Sequence, residues 1–378
     1  MKKAIKIINV VGARPNFMKV APLIKKMRLF PGRIDPVLVH TGQHYDYRMS
    51  RVFFRDLDLP KPDIHLEVGS GNHGEQTGRI LIKFEKVLQK YKPDMVLVVG
   101  DVNSTVACAL ASVKLNIPVA HVEAGLRSFD MSMPEEVNRI VTDRISTYLF
   151  TPCQEANNNL LREGIENNRI FLVGNVMVDS LMEGIKKAAS MKIADKLGLE
   201  KKGYILVTAH RPSAVDNKSR LLGLINGLSR LSKRIPVVFP MHPRTKKNIA
   251  KFGLRKYFVA AGEVSGGGKH KIIYLDPMGY LSFLSLMSSA SFVVTDSGGI
   301  QEETTILNIP CITIRENTER PITITEGTNV LAGLSRDKLL SLAYSIMNGK
   351  FKRAAAPRFW DGKTAHRIVK KIIDKEFS

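Results

Sequence analysis

The sequence predicts an α/β protein with parallel sheets, on the evidence of three observations. Short apolar runs alternate with amphipathic segments of helix length, which is typical of parallel strands that are covered by helices on both faces. The chain has 378 residues, which is too many for one hydrophobic core and enough for two. The alternation weakens between residues 175 and 203, which indicates a domain boundary in that region.

The first series of apolar runs predicts the strands of an N-terminal domain, residues 1–175. These strands are Ile5–Val11, Val37–His40, Met95–Val99, Val119–Val122, Leu149–Thr151 and Ile170–Val173. The spacing of apolar residues between the strands predicts helices. They cover Asn16–Leu29, Gly74–Tyr91 and Ser104–Leu115.

The second series predicts a C-terminal domain, residues 176–361. Its strands are Tyr204–Thr208, Val237–Phe239, Ile272–Leu275, Phe292–Thr295 and Cys311–Ile314. A helix is predicted over Ser219–Lys233. Residues 362–378 are predicted to form one more helix, with Thr364 as its N-cap, and we expect this helix to pack back on the N-terminal domain.

Charge and composition narrow the classes of function. Lys and Arg number 57 against 35 Asp and Glu, a net charge of +22, which suits either nucleic acid or an anionic substrate. The basic residues are spread over helix faces without a basic arm or an aromatic RNA-binding motif, so we expect no nucleic-acid partner. No run reaches the roughly 18 apolar residues of a membrane span. We therefore expect a cytoplasmic chain without a membrane partner.

The cysteines and histidines indicate neither a disulfide scaffold nor a metal site. Cys108, Cys153 and Cys311 are scattered and form no CxxC pair, and the nine histidines contain no HExxH pair.

Charged residues follow several strands of the first domain, where open parallel sheets bind their ligands. Arg14 falls at a predicted helix N-terminus, which favours anions, and Lys19 lies about one turn later. Asp101 follows a strongly apolar strand and either acts on a ligand or caps the next helix. Glu123 ends a buried strand, where a carboxylate is costly without a partner or a role. Glu135 begins a helix, which the helix dipole alone would favour.

The second domain has cations and glycines at the corresponding places. His210 and Arg211 follow one strand, and Ser297–Gly299 follow another as a turn whose N–H groups suit a diphosphate. Arg320 follows the next strand and could add a bidentate contact. Both domains therefore indicate a cleft that holds a nucleotide diphosphate and performs acid/base chemistry on the group attached to it.

One glycine motif invites a dinucleotide interpretation, which we reject. Gly69–Gly74 matches GxGxxG, but the preceding Ile64–Val68 alternates polar and apolar residues, unlike a buried parallel strand. The acid about 20 residues later, Asp94, precedes its strand, whereas the acid that binds a ribose should follow one.

These residues resemble the non-hydrolysing UDP-N-acetylglucosamine 2-epimerases. The resemblance covers residues 8–335 in family order. Its blocks are GARPNFMKVAPL, HTGQHYD, VLVVGDVNST, HVEAGLRS, PEEVNR, GNVMVDS, VTAHR, PMHP, TDSGGIQEE and RENTERP.

The resemblance implies a glycosyltransferase-B-like fold of two Rossmann-like domains, with the active site in the cleft between them, in a homodimer. It also implies interconversion of UDP-GlcNAc and UDP-ManNAc for polysaccharide synthesis, without a cofactor. In that reaction UDP is eliminated to leave a 2-acetamidoglucal and is then added back.

The resemblance further implies site residues, one by one. As catalytic residues it implies Asp101, Glu123, Glu135 and His210. As UDP-binding residues it implies Arg14, Lys19, Phe283, Ser297, Gly298, Gly299, Glu303 and Arg320. As contacts of an allosteric UDP-GlcNAc it implies Gln43, Glu136, Arg211 and His242.

The chain departs from the family pattern at Pro212–Ala214, at Met278 and at Tyr45–Arg48. These departures concern the contacts to the sugar, to the base and to an allosteric ligand. Two alternatives for the function also stay open. One is an epimerase of a related UDP sugar, such as a 2,3-diacetamido-glucuronate, and the other is a glycosyltransferase of the same fold.

Overall fold

The computed structural model describes residues 3–43, 56–261 and 271–374. Contacts divide the chain into two compact units: unit 1 is Met1–Met182 with Arg358–Ser378, and unit 2 is Glu183–Pro357. The sequence analysis placed this boundary at residue 175.

Unit 1 contains a parallel sheet with seven strands among the described residues. In chain order they are β1 Ile5–Val11, β2 Ile34–His40, β3 Ile64–His65, β4 Met95–Val99, β5 Val119–Val122, β6 Tyr148–Thr151 and β7 Ile170–Leu172. Across the sheet the order is β3-β2-β1-β4-β5-β6-β7. In register, Ile8 of β1 pairs with Val37 on one side and with Val96 on the other.

Helices cover this sheet and explain its sequence pattern. All five residues of β4 are buried, as expected of a strand that is covered on both faces. The helices of unit 1 are α1 Arg14–Met27, α2 His73–Tyr91, α3 Asn103–Lys114, α4 Pro134–Ile145, α5 Gln154–Arg162, α6 Val176–Met191, which contains the unit boundary, and α15 Thr364–Asp374. A 3₁₀ turn covers Asn167–Arg169.

Unit 2 repeats the architecture with a second parallel sheet. Its strands are β8 Ile205–Thr208, β9 Val237–Pro240, β10 Phe258–Ala260, β11 Ile272–Leu275, β12 Phe292–Thr295, β13 Cys311–Thr313 and β14 Asn329–Leu331. Their order is β10-β11-β9-β8-β12-β13-β14. The helices are α7 Ile193–Lys196, α8 Pro212–Val215, α9 Lys218–Leu231, α10 Pro243–Lys251, α11 Tyr280–Ser289, α12 Gly298–Ile306, α13 Ile322–Thr325 and α14 Arg336–Met347, with a 3₁₀ turn at Arg255–Tyr257.

The α/β class and the two parallel sheets are confirmed, but three edge strands escaped the sequence analysis. β3, β10 and β14 have two or three residues each, too few for a recognisable apolar run. Ile64–His65 does form a parallel edge strand, β3, beside β2, but neither of its residues is buried, so the first argument against a dinucleotide motif, that this segment is unlike a buried parallel strand, holds. The second argument holds, since Asp94 precedes β4 and accepts a hydrogen bond from the N–H of Lys6 at 2.7 Å.

The C-terminal helix α15 packs against α1 of unit 1. Thr364 is its first residue, so the prediction that Thr364 is the N-cap is wrong by one position. The carboxylate of Asp179 supplies the acceptors instead, at 3.1 Å from the N–H of Thr364 and 2.8 Å from that of Ala365. Residues 375–378 of the predicted helix lie outside the described residues.

Candidate active site

The topology of each sheet identifies one position for a ligand. In an open α/β sheet the crevice lies beyond the carboxyl ends of the two strands where the strand order reverses. That position is between β1 and β4 in unit 1 and between β8 and β12 in unit 2. The charged residues singled out from the sequence follow these strands and their immediate neighbours.

In unit 1, a compact turn leads from β1 into α1. The amide oxygen of Asn16 accepts hydrogen bonds from the N–H groups of Gly12 and Ala13 at 3.1 and 2.9 Å. Its amide nitrogen donates to the carbonyl of Val99, at the end of β4, at 2.9 Å. A Cβ at Gly12 would lie 2.1 Å from Oγ of Ser104, so only glycine fits there. The side chain of Arg14, on the same turn, lies outside the described residues.

Lys19 and Glu123 form a buried ion pair next to this turn. Each side chain is only 6% exposed. A charge can be buried to this extent when a partner of opposite charge offsets the cost of its desolvation. Gly100 lies against the pair, because a Cβ at this position would be 2.8 Å from Nζ of Lys19. Glu123 itself has φ +74°, a left-handed conformation that costs energy for a residue with a side chain and that clusters at functional sites.

Asp101 is paired with a residue that the sequence analysis did not single out, Arg139 of α4. Nη1 of Arg139 is 2.5 Å from Oδ2 of Asp101, and Nη2 of Arg139 is 2.6 Å from Oε2 of Glu136. The cap of α3 is Val102, so Asp101 is not a helix cap. The side chain of Asp101 remains 27% exposed, which leaves the carboxylate accessible to a ligand.

Glu135 lies in the first turn of α4, beside these residues. Asn138 of α4 donates to the carbonyl of Asp101 at 2.9 Å, and Arg139 donates to its carboxylate. Residues three and four apart on a helix share a face, so Glu135 lies on the side of α4 that meets Asp101. Glu135 is half-buried.

In unit 2, Asp296 organises the turn after β8. One of its oxygens, Oδ2, accepts from the N–H groups of His210 and Arg211, each at 2.7 Å. The other, Oδ1, lies 3.2 Å from Nδ1 of His210. Asp296 is fully buried, whereas the His210 side chain is 38% exposed. The carboxylate thus orients an imidazole that is partly exposed at the end of β8.

A group of arginines lies at the N-terminus of α12. Ser297 is the N-cap of this helix, and its first residues are Gly298 and Gly299, whose N–H groups face an anion in such a position. A Cβ on Gly298 would be 2.4 Å from Nη1 of Arg320. The guanidinium of Arg320 therefore lies directly against the start of the helix, and only glycine leaves room for it.

Glu319 holds these cations in place. Its carboxylate is 2.6 Å from Arg320, 2.8 Å from Arg315 and 3.5 Å from Arg211. Burial opposes ionisation of Glu319, but the three guanidinium groups outweigh it and hold its pKa well below the usual range. Arg320 also binds Glu302 at 2.7 Å. Three arginines thus share two buried carboxylates, Glu319 and Glu302, so the cluster has an excess of positive charge and suits a further anion.

Glu303 and Phe283, the other predicted UDP-binding residues, are placed by α12 and α11. Glu303 is buried and lies near the hydroxyl of Tyr280. Burial, and then the Glu303 carboxylate, raise the pKa of Tyr280, so this hydroxyl stays protonated. Phe283 is half-buried in the first turn of α11.

The residues expected to contact an allosteric ligand are held in place by hydrogen bonds to the backbone or to neighbouring side chains. The side-chain oxygen of Gln43 accepts hydrogen bonds from the N–H and the hydroxyl of Ser104 at 3.0 and 2.7 Å. It therefore satisfies an N–H in the first turn of α3. Glu136 is buried, but the N–H of Ser128 and the guanidinium of Arg139 outweigh burial and lower its pKa. His242 is the N-cap of α10 and accepts from the N–H of Arg244 at 3.2 Å. The residues Tyr45–Arg48 lie outside the described part of the chain.

The sequence reasoning did not single out four buried residues that hold the candidate site residues in place. They are Arg139, Asp296, Arg315 and Glu319. Each lies inside one of the blocks PEEVNR, TDSGGIQEE and RENTERP, so membership in a block was the available signal. Within residues 3–43, 56–261 and 271–374, no group of three or more His, Cys, Asp or Glu is arranged to hold a metal ion. Across the same ranges no helix has the length and apolar character of a membrane span.

Two Rossmann-like units with charged groups beyond the carboxyl ends of parallel strands define a protein of the nucleotide-binding α/β class. The sequence model of the UDP-N-acetylglucosamine 2-epimerase family matches residues 30–373. The chain belongs to this family.

Curated relatives match almost the whole chain. A UDP-N-acetylglucosamine 2-epimerase from Methanocaldococcus jannaschii is 46% identical over 97% of this chain and 98% of its own length. A UDP-2,3-diacetamido-2,3-dideoxy-D-glucuronate 2-epimerase from Pseudomonas aeruginosa is 41% identical over 96% of this chain and 98% of its own length.

Solved structures share the fold. The crystal structure of the M. jannaschii UDP-GlcNAc 2-epimerase in complex with UDP-GlcNAc and UDP has a TM-score of 0.86 at 44% identity, and covers 97% of this chain and 99% of its own. The UDP-GlcNAc 2-epimerase from Neisseria meningitidis bound to UDP-GlcNAc also has a TM-score of 0.86, at 29% identity, and covers 98% and 100%.

Proposed function

We propose that this chain is a UDP-GlcNAc 2-epimerase that interconverts UDP-GlcNAc and UDP-ManNAc. The observation that carries the proposal is the set of carboxylates after neighbouring strands of unit 1: Asp101 after β4, Glu123 after β5 and Glu135 at the start of the next helix. Epimerisation at C2 needs a base on one face of the sugar and an acid on the other, and these three groups supply both.

Unit 2 binds the uridine diphosphate in this proposal. Arg320 and the N–H groups of Gly298 and Gly299 bind the phosphates, and Glu303 and Phe283 bind the nucleoside. Unit 1 adds Arg14 and Lys19 as further cations. His210, oriented by Asp296, hydrogen-bonds the diphosphate and stabilises the charge that develops as UDP leaves.

The reaction proceeds by elimination and addition. A carboxylate takes the proton from C2, the bond between C1 and the diphosphate oxygen breaks, and a 2-acetamidoglucal remains beside UDP. UDP then adds back to C1 while a carboxylic acid returns a proton to the opposite face of C2. No electrons are exchanged with a cofactor, so none is required.

A second substrate deserves a test, because a relative at 41% identity is named for a diacetamido-glucuronate. Incubation of the purified protein with each UDP sugar in D2O, followed by NMR, distinguishes the candidates. We expect deuterium at C2 of UDP-GlcNAc and a mixture of both epimers. Exchange with the diacetamido-glucuronate alone would move the assignment to that sugar. Transfer to an added acceptor without C2 exchange would indicate a glycosyltransferase.

We further propose a cytoplasmic homodimer that supplies polysaccharide synthesis. Cys108, Cys153 and Cys311 are buried thiols that form no disulfide with one another, which suits a reducing compartment. Phe129 and Met131 are 74% and 63% exposed, and Val137 and Val141 of α4 are also exposed. Such an apolar group suits an interface with a second copy. We expect mass photometry to show dimers, and Val141→Glu to shift them towards monomers.

A further inference from the structure

A buried histidine that takes no part in the chemistry above lies between the loops that carry Asp101 and Glu123. His121 belongs to β5, and it is fully buried. Nδ1 of its ring is 2.7 Å from Oδ1 of Asp143, and Nε2 is 2.8 Å from the carbonyl oxygen of Gly100. Both distances are those of hydrogen bonds.

Both partners of this ring are acceptors. The carbonyl of Gly100 has no proton to give, so Nε2 carries one. The second oxygen of Asp143 accepts from the N–H of Gly125 at 3.1 Å and lies 2.7 Å from Nη1 of Arg127. Arg127 is always charged, so its contact with this oxygen keeps Asp143 ionised. Asp143 is therefore a carboxylate, and Nδ1 of the ring donates to it.

We propose that His121 is held as an imidazolium and positions the loops that carry Asp101 and Glu123. Its Nε2–H fixes the carbonyl of Gly100, the residue before Asp101. Its counter-ion Asp143 fixes the N–H of Gly125, two residues after Glu123. This role rests on the proposed function in one respect, namely that Asp101 and Glu123 act on the substrate.

The loop after β5 needs such a support. Glu123 has φ +74°, and a left-handed conformation of a residue with a side chain persists when its surroundings fix it. Gly100 has φ +68°, which a glycine adopts without strain. A neutral imidazole carries one N–H and could serve only one of the two acceptors. The imidazolium serves both at once and so links the two loops.

The charges around the ring make a buried imidazolium tolerable. Arg127 binds Glu163 through two N–H groups, at 2.7 and 2.6 Å, and Asp143 lies between Arg127 and His121. On the strand end of His121 itself, Glu123 is neutralised by Lys19 from α1. Each of these positive charges therefore has a carboxylate beside it, as buried charges require.

The first experiment uses the wild-type protein without substrate. We expect histidine ¹⁵N–¹H NMR spectra at about pH 7 to show a proton on each ring nitrogen of His121, as its two acceptors require. A ring with a single proton at neutral pH would overturn the proposal. Because no substrate is present, this result does not depend on the proposed function.

The second experiment compares two isosteric variants of buried carboxylates in unit 1. Asp143→Asn removes the counter-ion of His121, whereas Asp179→Asn changes a carboxylate that accepts two N–H groups of α15. We expect Asp143→Asn to leave one proton on the ring and to lower kcat for C2 exchange about 100-fold, with KM little changed, since small misplacements of catalytic groups have that effect.

The control Asp179→Asn should keep kcat within about twofold, because its carboxylate supports only the C-terminal helix. Wild-type kcat in folded Asp143→Asn would overturn the positioning role, as would an equal loss of kcat in both variants. If Asp143→Asn does not fold, the ring protons of the wild type decide the matter. Absence of C2 exchange in the wild type would instead contradict the proposed function.

Discussion

The two units have the same kind of sheet but arrange their charges in opposite ways. In unit 1 the paired carboxylates each lie beside one cation: Glu123 beside Lys19, and Asp101 and Glu136 beside a shared Arg139. In unit 2 three arginines share Glu319, and one of them, Arg320, also binds Glu302. The fold alone therefore does not determine the chemistry of its strand ends.

The difference follows from what each arrangement can do. A single neighbouring cation holds a carboxylate in position and stabilises its charge. If the carboxylate is partly exposed, it can still exchange a proton with a ligand. A cluster with more arginine than carboxylate attracts an anion and holds it through several N–H groups. Unit 1 is thus suited to proton transfer and unit 2 to binding a diphosphate, and the variants Asp101→Asn and Gly298→Ala below separate these two tasks.

The largest expected effect comes from Asp101→Asn in unit 1. The variant keeps the shape of the side chain but removes a group that accepts or gives a proton, so we expect kcat for C2 exchange to fall about 1000-fold. UDP binding, measured by calorimetry, should stay within about threefold of wild type.

A matched control lies at the other end of the same strand. Asp94 precedes β4 and accepts the N–H of Lys6, so Asp94→Asn should retain C2 exchange. If Asp101→Asn exchanged at the wild-type rate, Asp101 would have no place in the mechanism. If it lost UDP binding equally, the division of tasks between the units would be contradicted.

A smaller effect is expected in the pH dependence of stability of unit 1. His40 is buried and stacks on His65 with ring centroids 4.4 Å apart. Burial, and then His65, lower the pKa of His40 from 6.5 to about 4. A depressed histidine pKa means that the unfolded chain binds the proton more tightly, so the folded state loses stability as pH falls from 6.5 towards 4.

Replacing His40 tests whether this residue lowers the stability of the folded state as pH falls. The shift corresponds to about 3 kcal/mol, so the free energy of unfolding of wild type relative to His40→Gln should fall by about that amount between pH 7 and pH 4. Denaturant unfolding at several pH values measures it. His366→Gln, at an exposed position of the same unit, serves as the control. A constant difference between wild type and His40→Gln would show that His40 is not buried as a neutral ring.

Much of this structure could be predicted from local sequence patterns. The rest depends on pairing between residues that are far apart in the chain. The apolar runs identified β1, β4, β5, β11 and β12 to the residue, because strands buried on both faces have few polar residues to blur their limits. The positions of Asp101 and His210 after such strands followed from the same pattern. The partner of Asp101 did not, because Arg139 lies 38 residues away on another helix, and no spacing rule connects the two.

The same reasoning explains why β14 and the cluster around Glu319 were missed. β14 has three residues and only one is buried, so its pattern resembles a loop. Arg315 and Glu319 lie four residues apart in a loop after β13, where helix spacing does not apply. Their pairing depends on burial, which only the folded chain supplies.

The smallest effect is expected from a variant that adds a single methyl group to the anion site of unit 2. Gly298→Ala places a Cβ 2.4 Å from Nη1 of Arg320 and 2.8 Å from Oε1 of Glu319. Because neither group can stay where it is, we expect Arg320 to move and UDP to bind about tenfold more weakly, a loss of about 1.4 kcal/mol.

Gly223→Ala in α9 meets nothing within 4 Å and should leave UDP binding unchanged, since alanine suits a helix interior. With saturating UDP-GlcNAc, kcat of Gly298→Ala should remain within about threefold of wild type. Unchanged UDP affinity in that variant would show that Arg320 and the start of α12 do not form the diphosphate site.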